Sequence, residues 1–154
     1  MPSVSHLAHF LLTSIVAGFL GAAAMEVVMW LICRAGWAKG NMIVAVGSIL
    51  TRSRDNAFQA GVILHAVSAV VFAMIYGFAM GRMGLSHLPT AFLVGLGFGL
   101  FHGLVVSLML VWIVAERHPL EEFREAGLAV GVAHFAGHAA YGAVVGLVIG
   151  LAAR

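Results

Sequence analysis

Charge is what this sequence has least of. Only 9% of its 154 residues are Asp, Glu, Lys or Arg, against about 25% in an ordinary soluble domain. Too few charges remain to cover a core with a hydrated surface, so the expected solvent is lipid. The net charge of +2 and the lack of a basic cluster in a soluble setting exclude nucleic acid as a partner. Cysteine is nearly absent too. Cys33 stands alone, which excludes an internal disulfide and any CxxC metal or redox motif. It falls at an expected helix end, where a small apolar filler is the plainer reading than palmitoylation or a metal ligand. No GxxxxGK pattern occurs, so a phosphate-binding loop is not expected.

Apolar residues fill the space. They make up 62% of the chain, and the mean hydropathy is +1.07. They fall in four runs, at about 7–33, 60–80, 89–115 and 128–153. Each is long enough to cross a hydrocarbon core of ~30 Å at ~1.5 Å per residue. The expected fold is therefore all-α: an integral membrane four-helix bundle forming a single domain over 1–154. The small residues Gly21–Ala24 look like a signal-peptidase site. The flank before them lacks Lys and Arg and the apolar run continues past them, so an uncleaved helix is expected. A shorter apolar stretch at 41–51 cannot span and predicts an interfacial or re-entrant helix. Glu116–Glu125 is the one strongly polar stretch. It predicts a short solvated surface helix after Pro119, with metal capture by Glu116 and His118 as the alternative.

Orientation follows from the basic residues. Arg34, Lys39, Arg52 and Arg54 fall in the first loop and Arg117 and Arg124 in the third; Arg82 and Arg154 fall opposite. The first and third loops are thus expected in the cytoplasm and both termini outside, in a bacterial inner membrane.

Against this background a few ionisable groups stand out. His134 and His138 are four apart in the last run and share one helix face, which Tyr141 continues. Each other run carries one such group: Glu26, His65 and His102. Ionisable groups at membrane depth are costly and usually face a protein interior. Counting residues puts Glu26, His65 and His134 ~7–10 Å inside their cytoplasmic ends, and His102 and His138 ~15 Å inside. The five are expected to converge on one buried metal site, with Tyr141 beside it.

Imidazole and carboxylate suit iron, zinc or copper. A ferritin-like di-iron centre normally needs four carboxylates, and only Glu26 lies at this depth. A single haem between facing histidines is the other cofactor option, with glycines of the third run making room for the ring. Met25, Met29 and Met109 keep copper(I) open, although methionine in a membrane helix is ordinarily packing. A redox or electron-transfer role is the leading expectation. The alternatives are metal-ion or proton transport, and a structural or accessory subunit of a larger membrane complex without metal. The stripe Gly142, Gly146 and Gly150 and the glycines Gly95, Gly97, Gly99 and Gly103 predict close helix packing, either within the chain or in a homo-oligomer.

Two short motifs carry a resemblance. They are Gly99–Leu100–Phe101–His102–Gly103 and Gly137–His138–Ala139–Ala140–Tyr141–Gly142. With the four-run layout, they make the chain resemble small four-helix bacterial inner-membrane proteins of unknown function. The resemblance implies the topology and no activity.

Overall fold

The computed structural model describes residues 4–38, 41–125 and 127–153. Lys39 and Arg154, counted above for orientation, lie outside the described residues. The described chain is all-helical. The long helices are α1 (Val4–Arg34), α3 (Ala57–Met83), α4 (Thr90–Arg117) and α5 (Leu128–Ala152), each long and apolar enough to cross a membrane. The short helix α2 (Met42–Thr51) lies between α1 and α3. Asn41 caps it, its Oδ1 accepting from the Val44 N–H at 3.1 Å.

The bundle is inside-out by the standards of a water-soluble protein. Its interior is built of small residues such as Ala17, Ala73, Ala91 and Ala133. Phe19, Phe78, Phe101 and Val132 are more than half exposed and face outward. Lipid tails are as apolar as leucine, so burying large side chains gains little and close backbone packing dominates.

Small residues decide which helices touch. α5 packs along α4 and α1, and α1 also packs along α3. The stripe Gly142, Gly146 and Gly150 lies against Ala91, Gly95 and Gly99 of α4 and Leu88 just before it. The stripe is therefore used inside the chain. Gly97, by contrast, faces open space. On α1, Gly18 lies against the backbone of Ala69 and Gly21 against the ring of Tyr141. Gly47 of α2 and Gly61 of α3 give the tightest approach of all, each backbone pressing on the other helix. This holds α2 along the start of α3.

α3 and α4 hardly touch through their backbones. Long side chains bridge them instead. The Phe72 and His102 rings lie 4.0 Å apart between centroids and the Tyr76 and Phe98 rings 5.1 Å apart. Below these rings, toward α2, the space is left as a cavity. α4 also departs from regularity there: Leu110–Val114 is a π-helical turn. Such turns are rare and often mark functional sites. Nothing in the sequence announces this one.

The polar stretch differs from expectation. Only Glu121–Phe123 is helical after Pro119, as a single 3-10 turn. His118 is buried at 2% exposure. Its Nδ1 accepts from the Leu120 N–H at 3.1 Å, so Nε2 carries the proton and donates to the Ala45 carbonyl at 3.1 Å. Arg54 adds a two-pronged pair with Glu122, both bonds at 2.7 Å. The α2–α3 loop is thus clamped to the α4–α5 loop.

Candidate metal centre

The five ionisable groups gather around one region but do not form one shell. His65, His102, His134 and His138 line a cavity of about 290 Å³, with Met25, Met42 and Tyr141 among the other walls. Glu26 is not on that wall. Its Oε1 faces His65 Nε2 at 3.4 Å, and neither atom has a hydrogen-bond partner. Among the described residues, no three His, Cys, Asp or Glu side chains are grouped to hold one metal ion. The expected five-ligand convergence is replaced by three local arrangements.

The first is the Glu26–His65 pair between α1 and α3. The second joins α4 to α5. The His102 and His138 rings meet edge to face, 4.6 Å between centroids, and the Tyr76 hydroxyl lies 3.2 Å from His102 Nδ1. The third is His134, whose Nε2 meets the Met42 thioether of α2.

Hydrogen bonds fix the tautomers of the α5 histidines. His134 Nδ1 donates to the Val130 carbonyl at 2.7 Å, and His138 Nδ1 donates to the His134 carbonyl at 2.8 Å. A carbonyl only accepts, so both protons sit on Nδ1. In the neutral rings, both Nε2 atoms then carry lone pairs. Histidines that bind metal are held in this way, the second nitrogen donating to a backbone carbonyl or carboxylate.

The His134 Nε2 lies against the Met42 sulfur at a residue only 3% exposed, and both residues line the cavity.

More sulfur lies beside it. A Cβ on Gly137 would stand 3.0 Å from Met25 Cγ and 3.5 Å from Met29 Sδ. Met25 also lines the cavity with both α5 histidines. Tyr141 has a different task. Its hydroxyl donates to the Ala69 carbonyl at 2.6 Å and ties α5 to α3.

Room for haem is lacking at His102 and His138, whose rings are in contact. The glycines expected to make that room, Gly95, Gly99 and Gly103, are filled by α5. Met42 was not legible as a site residue, because it opens a helix too short to span and touches His134 only through tertiary packing. The Met25, Met29, Cys33 spacing was legible as one helical face.

The fold and cavity define an all-helical protein with four spans apolar enough for a membrane and a buried histidine–methionine cluster. Compared with family models, with curated proteins and with solved structures, the chain matches none.

Proposed function

We propose that this is an integral membrane protein that binds one soft transition-metal ion in the cavity lined by His134, His138, Met25 and Met42, and that it serves redox or electron transfer. Copper is the metal whose preferences match. Thioether sulfur selects copper(I), imidazole suits copper in both oxidation states, and an apolar surround tunes the potential of such sites. Carboxylate-rich iron chemistry lacks its ligands here, since no carboxylate lines this cavity. The observation that carries the reading is that His134 and His138, each held by Nδ1 donating to a backbone carbonyl, line one cavity with the Met25 and Met42 side chains.

The test is elemental analysis and an optical spectrum of protein purified after metal-replete growth. One copper per chain without a Soret band is expected. Joint replacement His134→Ala with His138→Ala should abolish it, and Met42→Leu should weaken it by about 10–100-fold, the range seen when groups supporting a metal are lost. Metal content unmoved by the double replacement, or no metal in the intact protein, would sink the reading. The histidines would then serve helix–helix hydrogen bonding in a structural subunit.

A further inference from the structure

The cavity of about 290 Å³ has a mouth. Of the residues that line it, Ile49, Leu64 and Met109 are also exposed on the outer surface. Leu64 belongs to α3 and Met109 to α4, the two helices whose backbones hardly touch. All three rim residues are apolar, and α3 and α4 are both long and apolar enough to cross a membrane. In a bilayer this mouth opens sideways, toward lipid.

On the α3–α4 side, two polar groups keep hydrogen-bonding capacity that the protein does not use. Tyr76 is buried, and its hydroxyl has one hydrogen-bond partner among the described residues, His102 Nδ1 at 3.2 Å. The hydroxyl proton therefore goes to Nδ1, and the neutral His102 ring carries its own proton on Nε2. That N–H meets no acceptor among the described residues, and the ring lines the cavity. Ser68 lines it too. Its hydroxyl makes no hydrogen bond within the described chain, not even the common one to the carbonyl four residues back. Polar groups inside proteins are nearly always hydrogen-bonded, and a donor left over calls for an acceptor. No Lys or Arg stands among the described residues of this wall. A carboxylate or phosphate head group would therefore enter without a counter-charge, at high cost.

We propose that the α3–α4 side of this cavity binds the head group of a lipid-soluble isoprenoid quinone in its oxidised form. A quinone is neutral, its carbonyl oxygens accept and never donate, and it dissolves in the lipid onto which the mouth opens. The His102 Nε2–H and the Ser68 hydroxyl are its donors. Phe72, whose ring lies 4.0 Å from that of His102 between centroids, is the flat apolar surface beside them. The volume is at the lower end of small-molecule sites. It takes a single-ring head group and leaves the isoprenoid tail in the lipid, through the opening between Leu64 and Met109. Met25, Met42, His134 and His138 belong to the other helices, so quinone and ion use different walls. As electron partner of the proposed centre the quinone rests on the redox reading; as a ligand it needs no metal.

The test is binding of radiolabelled ubiquinone-1 to the full chain in phospholipid nanodiscs, after metal has been stripped with a chelator and with empty nanodiscs subtracted. One saturable site per chain is expected. His102→Phe and Ser68→Ala should each weaken it by about 3–10-fold, the loss of one hydrogen bond. Leu64→Trp, which blocks the mouth from an exposed position, should abolish binding while circular dichroism stays at the wild-type spectrum. A photoreactive azido analogue should cross-link the wild-type chain within 64–72 and 102–109; this arm does not depend on any variant folding. No saturable binding above empty nanodiscs, or cross-links confined to other segments, would overturn the proposal. Displacement of ubiquinone-1 by palmitate as readily as by itself would also overturn it, because the occupant would then be any acyl chain. Saturable quinone binding by a chain that never holds copper would sustain this site and defeat the copper centre; copper without quinone binding would do the reverse.

Discussion

Alanine at Gly95 and alanine at Gly97 are the same change two residues apart, and the structure gives them opposite consequences. A Cβ on Gly95 would lie 2.7 Å from Gly146 Cα and 2.8 Å from Gly146 N, and closer still to the Gly142 carbonyl oxygen. Ordinary contact begins at 3.4 Å. The neighbours are backbone and cannot swing aside, so α4 and α5 must part by about 0.7 Å or more, a gap that forfeits about a quarter to a half of each affected contact. Overpacking of this kind costs about 1–3 kcal/mol. At Gly97 nothing lies within 4 Å, and alanine is the better helix former by up to about 1 kcal/mol. Gly95→Ala should therefore be destabilised by about 1–3 kcal/mol and Gly97→Ala should be neutral or slightly stabilised. Unfolding in mixed micelles with increasing dodecyl sulfate, followed by far-ultraviolet circular dichroism, measures both. Equal stability of Gly95→Ala and wild type, or a loss at Gly97→Ala, would refute the helix pairing.

Two further outcomes follow from the loop side. Glu122 is held below the usual carboxylate range, chiefly by its hydrogen bond from Arg54, whose own affinity for its proton is raised in return. A lowered folded value means that the clamp is present at neutral pH and is lost as pH falls through that value, below the ordinary glutamate value of about 4.3. Amide protection across 51–57, corrected for intrinsic exchange, should fall in acid, and Glu122→Gln should show that lower protection already at neutral pH. Protection indifferent to pH and to the variant would dismiss the clamp; global melting should change little because the pair is exposed. Second, the positive-inside expectation for the basic residues puts Cys33 on the cytoplasmic side. A membrane-impermeant maleimide should label it in inside-out vesicles and spare it in intact cells; the reverse would invert the topology.

The sequence by itself determined the elements. Scarce charge and four long apolar runs give four helices long and apolar enough to cross a membrane, where a backbone must satisfy its hydrogen bonds within its own segment. It also singled out the ionisable groups, since a histidine or glutamate among leucines is costly wherever it points. What it could not determine was which of them meet. The five were placed by depth along their helices, a one-dimensional measure. Rotation about each axis and the pairing of helices decide the rest. Those depend on where glycines allow backbones to close, as Gly142 does on Gly95 and Gly99 and Gly47 does on Gly61. Closure of α5 onto α4 brings His138 to His102 and fills the space that a haem would need. Closure of α2 onto α3 brings Met42 against His134, from a helix that sequence alone leaves either interfacial or re-entrant. Glu26, at the right depth, turns to His65 instead of the cavity. Small residues fixed the contacts, and the contacts decided which ionisable groups meet.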